Sequence, residues 1–531
     1  MIIFTNRTFL RWEVLFFWAI TLFQVIPFLT IPFFPSLDGP SHLYNANIIN
    51  SLVFHSNTVF QKYFSINTEP IPNWTSLLLL SILKILFPSY LCEKILLIVL
   101  LTGMPYLFRR LIIKIASDGR YYSYLVFPFT HTTFLYLGFY NFCLGILFLL
   151  IALIYWISHA DAHFKTKHTA VLALLFLMTY FSNPLLFLVL SAIIFIHLCV
   201  HSFYQKNRRS VSWQISIFYS KLMTLFAALI LPLAFLFYFF FSRSTMQIHT
   251  WNTFDQLLRF LQLNYLIEGR NAFLFFWVFA CLVIFTISVA LVRTLRSSKN
   301  REPGHPQPGP GKHEDHANRI WLFLSLIVFL LFYFIAPDSA GSATFINLRI
   351  LLVIYLLLIA FLASMETSGI ESVIAAFLIL LINIFVLSSN YSDMRERSNI
   401  ALACHSASLC IPGNSIVLPV NLSRDPMTGH VTDYLATDRR IMLTSNYEAE
   451  TGYFPVIWKN KTQPTYYQGT YPDTGLDHAF MHKTACRIDY ILEVGISSNN
   501  PTSNPKEVLP EFQDGYRLIY SNGYCRVFAL K

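Results

Sequence analysis

Charge is what this sequence has least of. Only 12% of its 531 residues are Asp, Glu, Lys or Arg, about half the share that coats an ordinary soluble domain. That excludes a conventional water-soluble globule. The formal net charge is +10, but the basic residues sit in short loops beside apolar runs and form no single patch. This argues against nucleic acid as a partner and fits the bias of cytoplasmic loops towards Lys and Arg. No Gly-rich phosphate loop or Walker pattern occurs, which speaks against an ATP-driven pump. Nor is there a CxxC pair or a Cys/His spacing suited to structural zinc. After residue 389 no apolar run is long enough to span a bilayer.

What the chain has instead is apolar length. Hydrophobic residues make up 55% of it, with 51 Phe, the composition of a polytopic membrane protein. Arg7 and Arg11 precede an apolar stretch near 13–33, about the 20 residues that hydrocarbon requires. It is too long for a signal-peptide core and lacks a small-residue cleavage site, so a retained anchor is expected. Further runs fall near 74–87, 91–108, 121–138, 141–158, 169–182, 184–201, 221–241, 271–292, 319–336, 347–364 and 370–388. Arg109, Arg110, Lys114 and Arg120, then Lys165 and Lys167, then Lys206, Arg208 and Arg209 mark inside loops. If Met1 is inside, two crossings between 74 and 108 would leave Arg109 on the wrong side. The run 73–87 is short, carries Lys84 and ends at Pro88, so it is expected as a juxtamembrane or re-entrant helix, leaving about 11 spans. The alternative is about 12 spans with Met1 outside.

The expected fold class is therefore an all-α polytopic membrane bundle over 1–388, with outer loops 34–73 and 242–270, and a small extracytoplasmic α/β domain over 389–531. In that last part SIVLPV, IDYILEVGI, YRLIYS and YCRVFAL alternate with Gly, Pro, Asn and Asp. The Pro/Gly-rich segment 297–319 reads as a disordered cytoplasmic linker. Cys404, Cys410, Cys486 and Cys525 fall in the polar part. An even number there suits disulfides in an oxidising compartment, with reduced buried thiols as the other reading. In the second outer loop Phe254, Leu257, Leu258, Leu261 and Tyr265 recur at helical spacing, as an interfacial helix or a helix covering the bundle would require.

Polar residues expected on the outer side are few, and such groups at span ends are functional candidates. They are Asp38 and His42, then Tyr44 and Asn45, Lys62 and Glu69, Tyr140 and Asn141, Asn183, Asp338 and Arg349. In DGPSHLYN, Gly39 and Pro40 enforce a turn, and a helix capped by Ser41 follows. Asp38 could act as a general base, hold a divalent cation, or simply solvate the loop. His42 is a catalytic candidate beside it, although a lone histidine is more often structural. Arg349 suits a lipid phosphate or an interfacial anchor. Gly138, Asn141 and Gly145 suit close helix packing, and Asn183-Pro184 breaks an apolar run. His430, Asp433 and Tyr434 in TGHVTDY read as loop residues rather than a metal site.

Four stretches follow in order within roughly residues 10 to 240: LDGPSHLYNA after the first span, IPNWTSLLLLSILKILFPSYLCEKILLIVL, GFYNFCLG and YFSNP. This arrangement resembles the GT-C superfamily of integral membrane glycosyltransferases, which take a sugar from a polyprenyl-phosphate carrier. The resemblance implies that Asp38 matches the loop acid serving as base or orienting the acceptor, and that Arg349 holds the carrier phosphate, with Lys62 assisting. Asn183-Pro184 falls where some members have Lys before Gly-Pro. Gly39 stands where many members have a second acid. The implied activity is sugar transfer to a cell-envelope glycan, lipid or protein at the outer face of a bacterial inner membrane. The rival readings are a flippase for a lipid-linked saccharide and a non-catalytic assembly protein. A flippase needs polar groups at mid-membrane depth, whereas these cluster at one end.

Overall fold

The computed structural model describes residues 7–55, 58–204, 211–242, 248–251, 253–261, 266–267, 277–289, 310–340, 343–365, 369–423, 425–459, 487–495 and 515–531. Among them, seven helices are long and apolar enough to cross a membrane: Arg11–Thr30, Ser89–Ile115, Tyr140–Ser158, Pro184–Phe203, Ile215–Phe241, His316–Ile335 and Ile346–Ala363. A pair bent by 41°, Ala376–Phe385 with Asn390–Cys410, would make an eighth. Helix is the form that satisfies every backbone group within an apolar segment. The count of about 11 read from the runs is thus larger than the number of helices that meet the length and composition of a span.

One run fails to span as expected, and two others account for part of that gap. The Thr75–Lys84 helix has 10 residues, about half of what a crossing requires, in line with the non-spanning expectation. The run near 121–138, expected to span, is instead a 3-10 segment, Ser117–Thr130, followed by the four-residue helix Thr133–Tyr136. Pro128 inside it removes a backbone donor, and Gly119 lies so close to the Ala363 carbonyl that a Cβ would collide with it. The Thr166–Ser182 helix stops at 17 residues because Asn183 is extended ahead of Pro184. Residues 310–319 of the expected linker are helical, as the start of Pro310–Ile335. Pro310 sits at the helix start, where its missing N–H is harmless. Residues 297–309 and Tyr265 lie outside the described residues.

The chain forms two compact units. One comprises Met1–Val25, Val99–Thr133 and Phe142–Asn390. Inside it the Arg109 guanidinium grips Glu13 as a fork, Nη1 to Oε1 at 2.8 Å and Nη2 to Oε2 at 2.5 Å, and the Tyr124 hydroxyl donates to Glu13 Oε1 at 2.9 Å. A charge expected to mark a loop is therefore buried and paired. The Thr253–Leu261 helix shows Phe254, Leu257, Leu258 and Leu261 exposed.

The other unit comprises Ile26–Ile98, Phe134–Asn141 and Tyr391–Lys531. Its five-stranded sheet runs Met442–Leu443, Ile416–Asn421, Tyr490–Val494, Cys525–Leu530, Tyr516–Ser521 in space. The first two pairs are parallel and the last two antiparallel. Ile416–Asn421 is buried along its whole length, as a central strand with both faces covered should be. A second small sheet pairs Phe64–Ile66 antiparallel with Val456–Trp458, and the Phe64 ring stacks on Trp458 at 4.3 Å. The C-terminal residues thus fold around the segment that follows the first apolar helix, and the Gly39–Phe54 helix is buried along most of its length.

Candidate functional site

The site is built on the start of the Gly39–Phe54 helix. Pro40 presets the first turn, so the helix begins directly after Asp38, three residues earlier than a Ser41 cap would place it. The Asp38 side chain makes no capping hydrogen bond, and its carboxylate faces the cluster described below. The loop is fixed from behind: Leu37 N donates to the Tyr136 carbonyl at 2.9 Å and Asp38 N to that of Leu137 at 3.0 Å. Gly138 has φ +75°, and a Cβ there would lie 2.6 Å from Gly39 N. Only glycine meets both conditions.

His42, one turn into the helix, has acceptors at both ring nitrogens: Glu448 Oε1 2.7 Å from Nδ1 and the Gly138 carbonyl 3.1 Å from Nε2. Acceptors on both sides favour the doubly protonated ring. Burial opposes the charge, but Glu448, then Asp38, outweigh it and raise the His42 pKa above 6.5. The second oxygen of Glu448 accepts from Asn45 Nδ2 at 2.8 Å, and Asn446 donates back to Asn45 Oδ1 at 2.8 Å. Asn446 also caps the Tyr447–Thr451 helix. Ser41 donates to Asp433 Oδ2 at 2.5 Å. Burial pushes the Asp433 carboxyl up to about 7, with Glu448 and Asp38 adding to the rise.

Asp38 is where this network reaches the surface. Its side chain is 15% exposed and that of His430 11%, against 4% for His42 and none for Glu448. His430 Nε2 lies 3.7 Å from Asp38 Oδ1, and its ring stacks on Tyr447 at 4.3 Å. Burial, then the His42 charge, lowers the His430 pKa to about 4, so this imidazole is neutral. Burial, with Asp38 and Glu448, holds the Tyr447 phenol well above its usual range. The result is an accessible carboxylate beside a neutral imidazole and a protonated phenol, backed by a buried imidazolium–carboxylate pair. Such a group can accept a hydroxyl proton or orient a hydroxyl.

Behind Asp38 lies a second buried carboxylate that the sequence reading passed over. Glu93 accepts from Phe34 N at 3.1 Å, from Tyr140 at 3.1 Å and from Tyr434 at 3.3 Å. Ser36 and Tyr140 share a further hydrogen bond of 2.9 Å. A Cβ on Gly39 would lie 2.7 Å from the Tyr140 hydroxyl and 2.9 Å from Glu93 Oε1. Gly39 is therefore glycine because another acid's hydrogen-bond network occupies the space. The second carboxylate comes from 54 residues along the chain rather than from the next one.

The remaining candidates divide. Tyr44 and Asn45 are fully buried and occupied, Tyr44 accepting from Leu443 N at 2.9 Å. Tyr140 serves the Glu93 network. Asn141 caps the Thr75–Lys84 helix by accepting from Ser76 N at 2.8 Å. Lys62 and Glu69 are exposed and share no hydrogen bond or ion pair with the cluster. Asn183 and Arg349 belong to the other unit. There Asn183 accepts from Leu186 N at 3.2 Å, capping the helix after the break, and Arg349 lies 5.5 Å from the Phe142 ring. Asp338 is buried in that unit too. Cys404, Cys410 and Cys525 are thiols, with Cys525 bonded to the Ala403 carbonyl at 3.4 Å; Cys486 lies outside the described residues. Among the described residues no group of three His, Cys, Asp or Glu is arranged to hold a metal ion.

His430, Asp433, Tyr447 and Glu448 are the residues that sequence reasoning discounted or missed. No local signal distinguishes them, since each sits in an ordinary polar stretch. No protein-family model matches the chain, and no curated protein matches it.

Proposed function

We propose that this chain is a multi-pass membrane glycosyltransferase of the GT-C kind, transferring a hexosyl or pentosyl unit from a polyprenyl-phosphate carrier to a cell-envelope glycan, lipid or protein. The reaction would take place on the outer, periplasmic face of a bacterial inner membrane. One observation carries the reading: directly after the first apolar helix, a partly exposed carboxylate stands at the end of an otherwise buried acid–imidazole network. In this reading Asp38 takes the acceptor's proton as its oxygen attacks the anomeric carbon, and the carrier phosphate leaves. His42 and Glu448 position Asp38 and set the field around it. Glu93 lies beside Gly39, where many members of that superfamily carry a second acid.

Complementation tests it. A chain-deleted strain carrying Asp38→Asn should show the deletion phenotype although the variant is inserted and monodisperse. A variant that restores the phenotype would remove Asp38 from the chemistry and favour a non-catalytic assembly protein.

A further inference from the structure

In the unit formed by Met1–Val25, Val99–Thr133 and Phe142–Asn390, the Thr253–Leu261 helix turns its polar side inward. Phe254, Leu257, Leu258 and Leu261, at the i, i+3, i+4, i+7 spacing of one helix face, are exposed, Phe254 to 67%. Gln256, on the opposite face, is 3% exposed. A surface helix in water does the reverse, with its apolar stripe on the core and its amides in solvent. Polar contacts hold the inward side. With its amide nitrogen towards the Ala336 and Pro337 carbonyls, Asn347 accepts from Gln256 Nε2 at 3.3 Å. The Tyr333 hydroxyl donates to the Gln256 carbonyl at 2.8 Å, and the Tyr355 hydroxyl to that of Phe260 at 2.9 Å. A helix of 9 residues is marginal by itself in water, so these contacts fix where it lies.

They also set its level. The Phe260 ring packs 5.7 Å from Tyr333 and 6.2 Å from Tyr355. Tyr355 is the tenth residue of Ile346–Ala363, about 13 Å from its start at the rise of a helix. The last turn of Thr253–Leu261 thus lies against the flank of the two long helices and not beyond their ends. The side of Pro310–Ile335 turned away from Tyr333 is apolar at this level too, with Leu331, Phe332 and Ile335 exposed. Asp255 and Arg259, one turn apart and half-buried, border the exposed face without giving it net charge. The Arg259 guanidinium lies 3.9 Å from the centroid of the Trp251 ring, and both are side chains that favour the edge of hydrocarbon. An uncharged apolar face on the flank of helices long and apolar enough to cross a membrane fits acyl chains.

We propose that the Phe254, Leu257, Leu258 and Leu261 face is a lipid-docking surface, covered by the acyl chains of one leaflet, with Trp251 and Arg259 at its headgroup edge. It rests on the multi-pass membrane setting of the proposed function and not on the Asp38 chemistry.

The test uses the full-length protein in phosphatidylcholine vesicles that carry a phospholipid with a diazirine in its acyl chain, with labelled residues located by mass spectrometry after irradiation. Phe254, Leu257, Leu258 and Leu261 should be labelled at yields comparable to those of Ile230 and Phe237, which are exposed on Ile215–Phe241, and severalfold above Gln256. A water-soluble diazirine given to both sides of the membrane should label the four severalfold less than Leu518, which is exposed on the five-stranded sheet. Labelling of Ile230 and Phe237 by the lipid probe with none on the helix overturns the docking surface and leaves the membrane setting standing. No lipid-phase labelling anywhere in the chain overturns both. A second copy of the chain is the rival occupant: Leu258→benzoylphenylalanine should crosslink to lipid, and a chain-to-chain crosslink through it overturns the lipid occupant.

Discussion

Asp433 offers the most quantitative check on the buried network. Its carboxyl is pushed from 3.8 to about 7 by burial and by the nearby Glu448 and Asp38 charges. Because the folded pKa is raised, the stability that the protonated group contributes is complete below about pH 4 and is lost as pH rises towards 7. The shift of roughly 3 units corresponds to about 4 kcal/mol at most, an upper figure because neighbouring charges relax together. Asp433→Asn removes the titration while keeping an oxygen to accept from Ser41. The fixed offset between the two proteins depends on how the new amide is accommodated, so the slope is the informative quantity. Between pH 5 and pH 7 the wild type should lose about 2 kcal/mol relative to Asp433→Asn. Denaturant or thermal unfolding in detergent at several pH values measures it. A difference that stays flat with pH, or that grows in favour of the wild type as pH rises, would refute the buried, charge-crowded setting of Asp433.

Other expectations follow from particular contacts. Gly39→Ala pushes a methyl group into the Tyr140 and Glu93 contacts and should destabilise the protein by about 3 kcal/mol, read as a lowered unfolding midpoint; a midpoint within error of wild type would contradict the packing. Glu13→Gln leaves the buried Arg109 guanidinium uncompensated and should cost about 3–5 kcal/mol, whereas Glu13→Leu with Arg109→Met should recover most of the loss. Unfolding curves of the three proteins check this, and a double variant worse than the single would count against it. Alkaline-phosphatase fusions after residues 90 and 400 should be active and one after 115 inactive; an inactive fusion at 400 would overturn the proposal that the C-terminal sheet faces outward.

Much of the architecture was legible because apolar composition and punctuation act locally. The break at Asn183-Pro184 and the short helix before Pro88 follow from residues within one or two turns of the event. The run near 121–138 misleads because its Tyr, Leu and Phe content looks like a span, while Gly119 and Pro128 deny it a continuous helix. The candidate site was half visible. Asp38 declares itself as a carboxylate just beyond an apolar helix, and Gly39-Pro40 announces the helix start. Its partners do not: Asp433 and Glu448 reach Ser41 and His42 across about four hundred residues of chain, and no periodicity encodes a contact of that range. Glu93 was hidden for a different reason, standing alone within an apolar helix whose neighbours give no hint that Tyr140 and Tyr434 converge on it.

The central claim rests on Asp38. Membranes from a chain-deleted strain, supplied with purified wild-type or variant protein and a radiolabelled polyprenyl-phosphate-sugar extract, measure transfer to endogenous acceptors. The account predicts that Asp38→Asn abolishes the chain-dependent transfer while keeping the wild-type unfolding profile. Wild-type protein that supports no transfer, or an Asn variant that supports all of it, would contradict the account.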